Sequence, residues 1–215
     1  MAPESEPPAI KVCGLMTLTD AMFSADAGAG YLGFNFTRTS KRRLTLDAAK
    51  SWWGELPAQI TRVALFQDQT AREVDEVLQA LPIDILQFHG AESGEFCRRF
   101  SVPYWKAIAI EDQASFCRGA RDHKHAGALL LDTAVLTAQG RSTSGGSGRA
   151  FDWSLWPDQA TQPLVLAGGL SPQNVAEAIR QTRPWAVDVS SGVESAPGVK
   201  SRDKVQQFCH EVHSV

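Results

Sequence analysis

Three residues able to exchange protons stand where short apolar runs give out. Cys13 closes Ile10-Lys11-Val12 before Gly14, His89 follows Leu86-Gln87-Phe88, and Asp132 follows Leu129-Leu130-Leu131. A thiol in such a place is a nucleophile or a base, provided that nearby cations or dipoles bring it down from its ordinary pKa of about 8.5. A carboxyl directly after three leucines is costly unless it opens to solvent at a strand end, and apolar walls make it hold its proton longer, which suits a general acid. The plainer alternatives are a thiol packed as a small hydrophobe at Cys13 and a turn histidine bonded to backbone at His89.

Two glycine turns supply a different chemistry. Val165-Leu166-Ala167-Gly168-Gly169 is an apolar run that stops at a glycine pair, and Ser171 before Pro172 reads as the N-cap of a helix starting there. Backbone N–H groups at such a junction form an anion site. Val187-Asp188-Val189-Ser190-Ser191-Gly192 repeats the device. Asp188, inside the last strand, is expected to bind loop amides. Of Arg38, Lys41, Arg42 and Arg43 most should be solvated, with one reaching inward to clamp a carboxylate or phosphate.

These residues need strands to carry them to one mouth. Apolar runs at Ala9–Cys13, Tyr31–Phe36, Arg62–Phe66, Ile83–Phe88, Tyr104–Ile110, Ala128–Leu131, Leu164–Ala167 and Ala186–Val189 read as eight strands. Helical patterns alternate with them at Thr19–Ala27, Leu46–Trp53, Thr70–Leu81, Ser93–Phe100, Gln113–Gly119 and Lys200–Val212. Near-continuous apolar strands alternating with helices imply a parallel sheet covered on both faces. Eight units, phosphate-type turns that come late, and no GxGxxG after the first strand favour a single (β/α)8 TIM barrel, an α/β fold, over an open doubly wound sheet. In such a barrel the residues just named lie at the carboxyl ends of strands, where chemistry occurs. Thr133–Ala150, rich in glycine and serine, reads as a long mobile loop after the sixth strand, of a length found in lids or disordered segments. Trp52 and Trp53 read as packing.

A chain of 215 residues with 43% apolar and 21% charged content is sized for one catalytic domain, from residue 9 to residue 215, after a short acidic, proline-rich extension over residues 1–8 read as disordered. A net charge of −3 offers no bulk attraction to nucleic acid or an acidic membrane. Four scattered cysteines without a CxxC pair suggest neither disulfides nor a zinc site and fit reduced thiols in a cytoplasm. No apolar run reaches membrane-spanning length. A monomer and a homodimer are both compatible with the sequence.

Taken together, Lys11-Val12-Cys13-Gly14-Leu15, Gly33-Phe34-Asn35-Phe36 with Ser40-Lys41-Arg42, Gln87-Phe88-His89-Gly90, Leu131-Asp132, Gly145-Gly146-Ser147-Gly148 with Phe151-Asp152-Trp153, Leu166-Ala167-Gly168-Gly169-Leu170 and Asp188 through Glu194 resemble the phosphoribosylanthranilate isomerases of tryptophan biosynthesis. The match runs from about Ile10 to Phe208. The resemblance implies a cofactor-free, metal-free Amadori rearrangement of a small phosphorylated substrate. Asp132 matches the general acid that opens the ribose ring, and Cys13 the general base at the second sugar carbon. Arg42 matches the cation for the anthranilate carboxylate and His89 a further substrate-binding position. Gly168, Gly169, Ser190, Ser191 and Gly192 match the phosphate cradle. Asn35, Phe88 and Gln67-Asp68 depart from the family's usual residues, Asn35 with the prospect of a polar side chain near the substrate. The competing readings are another phosphosugar enzyme on the same barrel, which would be expected to use other groups such as metal-binding histidines, and a catalytically silent binding protein.

Overall fold

The computed structural model describes residues 6–136, 142–144 and 152–215. Its barrel strands are β1 (Ala9–Cys13), β2 (Tyr31–Asn35), β3 (Thr61–Phe66), β4 (Ile85–Phe88), β5 (Tyr104–Ile110), β6 (Ala128–Leu136), β7 (Leu164–Leu166) and β8 (Ala186–Val189). Each pairs in parallel with the next, and β8 pairs back onto β1 through Lys11↔Asp188 and Val12↔Val189, so the sheet closes into a barrel of eight strands. Closure leaves the eight barrel strands without an edge strand.

The helices are α1 (Leu18–Asp26), α2 (Leu46–Lys50), α3 (Ala71–Ala80), α4 (Gly94–Arg98), α5 (Gln113–Asp122), α6 (Val175–Thr182) and α7 (Arg202–His213). Local chemistry starts them where the sequence leads one to expect. Thr17, Thr45 and Ser93 each accept a backbone N–H of the first turn, and Thr70 forms a capping box with Glu73.

Strand alternation divides the core in two. Leu129 and Leu131 face outward into the layer shared with Val74 of α3, Ala178 of α6 and Phe208 of α7. Ala128 and Leu130 face the lumen with Trp105, Ala107, Val165 and Ala186. Phe88 belongs to the outer layer, stacked on Phe100 and edge-on to Phe96, so its departure from the family pattern is a matter of packing. Trp53 is buried against Phe34, as a packing role requires.

Three sequence expectations need correction. The sixth strand does not end at Asp132: it continues to Leu136, because Ser142–Ser144 pairs antiparallel with Ala134–Leu136 and takes up its backbone hydrogen bonds. The described part of the expected loop is therefore a β-ribbon; residues 137–141 and 145–151, including the Gly145–Gly148 run, lie outside the described residues. Ser171 is not a helix N-cap: α6 starts four residues later behind Asn174, whose Oδ1 accepts the Ser171 N–H at 2.8 Å and whose Nδ2 donates to the Gly169 carbonyl at 3.0 Å. The Asn174 side chain thus braces the glycine turn. The helical pattern at Leu46–Trp53 breaks after Lys50 and resumes as a single 3-10 turn at Trp53–Glu55.

Candidate active site

The parity that sends Leu130 into the lumen does the same for Asp132, two residues on, and brings its carboxyl to the mouth. On β1 it points Lys11 and Cys13 inward while Ile10 and Val12 face the helices. On β8 it points Asp188 inward between Val187 and Val189. The result is a cavity of about 540 Å³ at the carboxyl ends of the strands, lined by Cys13, Asp132, Asp188, His89 and Arg42 and by the turns Gly168–Leu170 and Ser190–Ser191. That volume suits a small molecule. Asn35 and Gln67 also line it, so both departures put polar side chains at the mouth.

Of the residues expected to form the site, Gly192 alone does not line the cavity. It lies behind the turn, where a Cβ would run into the Leu170 carbonyl oxygen. Only glycine lets the turns after β7 and β8 approach this closely. Gly168 and Gly169 hold φ of 80° and 67°, the left-handed region that their missing Cβ makes accessible.

Cys13 is 6% exposed, and burial pushes its thiol up, the opposite of what a low-pKa base requires. The nearby Lys11 ammonium pulls the other way. Lys11 is itself fully buried and donates to Asp188 Oδ1 at 2.8 Å, so Asp188 holds a lysine and not the loop amides expected of it. Burial opposes the Lys11 charge, yet Asp188 and Cys13 together keep its pKa above the ordinary value. Ser190 Oγ donates to the Cys13 carbonyl at 3.0 Å, tying the serine turn to the thiol's strand.

Asp132 is 4% exposed, level with Ala109 of β5. His89 touches Gln87 through its ring nitrogen, and burial, then Lys11 and Lys106, lower its pKa to about 3. It is a neutral hydrogen-bonding group at physiological pH. Arg42 is gripped by Glu194, through Nε to Oε1 at 2.6 Å and Nη2 to Oε2 at 2.9 Å, and Glu194 also accepts from Lys200 at 3.0 Å. Two guanidinium donors are thereby used, and the remaining N–H groups of a residue on the cavity wall are left for a ligand.

Two ion-pair groups, Lys11 with Asp188 and Glu194 with Arg42 and Lys200, are pairings that the sequence motifs do not spell out. For the first a signal was present: Lys11 lies between Ile10 and Val12, and Asp188 between Val187 and Val189, each an ion in the middle of an apolar strand. Two such ions of opposite sign in one small domain are expected to pair. Among the described residues no cluster of histidine, cysteine and carboxylate side chains is arranged to hold a metal.

The family model described as N-(5'phosphoribosyl)anthranilate (PRA) isomerase matches residues 10–211. This chain belongs to that family. A relative from Hahella chejuensis named N-(5'-phosphoribosyl)anthranilate isomerase is 45% identical over 203 residues, 94% of this chain and 93% of the relative. One from Thiobacillus denitrificans is 45% identical over 199 residues, covering 93% and 95%. The phosphoribosyl anthranilate isomerase structure from Thermotoga maritima superposes with a TM-score of 0.85 at 35% identity, over 97% of this chain and all of that one. A family structure in complex with reduced 1-(o-carboxyphenylamino)-1-deoxyribulose 5-phosphate superposes with a TM-score of 0.83 at 33% identity, with 97% and 100% covered. The barrel fold and the family's motif order therefore agree in this chain.

Proposed function

We propose that this chain catalyses the isomerisation of N-(5-phosphoribosyl)anthranilate to 1-(2-carboxyphenylamino)-1-deoxyribulose 5-phosphate in tryptophan biosynthesis, by general acid-base catalysis without a cofactor. The observation that carries the reading is one cavity with a buried thiol and a buried carboxyl on separate lumen-facing strands, walled on one side by glycine and serine turns. Asp132, as acid, protonates the ribose ring oxygen and the ring opens to a Schiff base. Cys13, as base, removes the proton from the second sugar carbon, and the resulting enolamine tautomerises to the ketone. The turns at Gly168–Gly169 and Ser190–Ser191 anchor the phosphate and so hold the sugar between the two groups. Arg42, fixed by Glu194, meets the anthranilate carboxylate, and neutral His89 bonds the substrate nearby. Four free thiols fit a cytoplasmic enzyme.

The test is an anthranilate-fluorescence turnover assay on Cys13→Ala and Asp132→Asn. Each is expected to lose about 10²- to 10⁴-fold in rate while circular dichroism stays native. A fully active Cys13→Ala protein would overturn the mechanism, and failure to complement a tryptophan-requiring strain lacking the isomerase would overturn the function.

A further inference from the structure

A base that takes a proton from carbon must be a thiolate when it acts, and Cys13 is buried where a thiolate is poorly solvated. The structure holds one counter-charge on the same wall. Gly33 stands opposite Cys13 in the β1–β2 register, and a Cβ at Gly33 would lie 2.9 Å from Cys13 Sγ and 3.1 Å from Lys11 Nζ. Thiol and ammonium thus converge on the space that this glycine leaves empty. On the other side Lys11 and Asp188 are level partners in the β1–β8 register, joined at 2.8 Å.

We propose that Lys11 and Asp188 are a positioning pair that sets the basicity of Cys13. Lys11 stabilises the thiolate, and Asp188 keeps the ammonium charged and in place while its own negative charge prevents the thiolate from becoming too weak a base. The catalytic consequence rests on the isomerase reading; the electrostatic one does not. A pair kept for stability alone would be replaceable by apolar residues at little cost. Here Asp188 lines the cavity, and the Lys11 ammonium and the Cys13 thiol both flank the space beside Gly33.

Other charged or titratable groups also surround Cys13. Lys200, beyond β8, favours the thiolate, and the Arg42 guanidinium after β2 is electrostatically coupled to it. His89, after β4, is neutral. Lys200 and Arg42 are both engaged by Glu194, at 3.0 Å and 2.6 Å.

The experiment is the pH dependence of Cys13 alkylation by iodoacetamide, read on the Cys13 peptide by mass spectrometry so that exposed Cys117 does not contribute. The Lys11→Met/Asp188→Asn double variant removes both charges without stranding one in the lumen. Its Cys13 profile is expected to move to higher pH by about one unit, a roughly tenfold loss of thiolate at fixed pH. The rising limb of its kcat/KM profile should follow, with kcat reduced more than KM is raised. Lys11→Gln/Asp188→Asn, in which two neutral amides can still pair, should move the alkylation profile in the same direction, and it carries the test if the first double variant does not fold. A Cys13 profile unchanged or moved to lower pH in a folded double variant overturns the proposal whatever happens to turnover. Failure of the unaltered protein to turn over substrate would instead overturn the isomerase reading, and the alkylation profiles would still decide the role of Lys11.

Discussion

Lys11–Asp188 and Lys106–Glu92, two of the buried lysine–carboxylate pairs among the described residues, lie on opposite faces of the same sheet. Lys11 and Asp188 meet in the lumen at 2.8 Å beside a thiol and a cavity. Lys106 and Glu92 meet at 3.4 Å on the outer side of β5, where the neighbouring Tyr104 and Ile108 join the layer under the helices. Lys106 spends its remaining donors on the carbonyls of Phe88 at 3.2 Å and Gly90 at 2.6 Å. Glu92 accepts the N–H of Asp68 at 2.8 Å. Asp68 holds a φ of 54° and accepts from Ala91 at 2.6 Å, so the outer pair locks the turns after β3 and β4 together. The same two functional groups serve as an electrostatic device on one face and as a brace on the other. What separates them is strand parity, which decides whether an ion meets a ligand cavity or a loop backbone.

The sharpest way to separate the two faces is to compare losses of rate with losses of stability. On the lumen face, Asp132→Asn is expected to reduce kcat/KM by about 10²- to 10⁴-fold with an unchanged urea midpoint, as initial rates and equilibrium unfolding will show. On the outer face, Lys106→Met strands Glu92 in the core and should cost roughly 3–5 kcal/mol of stability. Its turnover per folded molecule should stay near that of the unaltered protein; a large drop in kcat with stability intact would break the distinction.

A smaller effect is expected in acid. Burial, and then Lys106, lower the pKa of His123 from 6.5 to about 4. Its neutral form is favoured in the fold, so the unfolded chain binds the proton first. The stability this residue contributes is complete above pH 6.5 and is lost as the pH falls towards 4. Urea midpoints measured from pH 7 to 4.5 should fall, and His123→Gln should flatten that fall without affecting turnover at pH 7. The smallest effect belongs away from both pairs. Thr70→Ala removes the capping box of α3 and should cost about 1 kcal/mol in equilibrium unfolding, with no change in rate.

Much of the molecule was legible in local patterns. A strand's alternation and a helix's period are consequences of backbone geometry within a few residues, so all eight barrel strands and most helices could be read from short windows. Cys13, His89 and Asp132 were legible for the same reason, since a polar residue ending an apolar run marks a strand's exit. Boundaries failed where the deciding partner was distant in sequence or not apolar. Asp132 looked terminal because the ribbon partner Ser142–Ser144 has no hydrophobic signature. Ser171 looked like a cap because the bracing side chain of Asn174 competes for the same backbone.

The chain's order of residues was sufficient for the fold class and the family, because the strand and helix patterns and the motifs are each written in contiguous residues. Pairings across the closed barrel were a matter for the tertiary structure. Lys11 and Asp188 lie 177 residues apart, and Arg42 and Glu194 lie 152 apart. Nothing local specifies those contacts. They follow from the register in which β8 closes onto β1 and from the turn after β8 that carries Glu194 to Arg42, and they set the charges around Cys13.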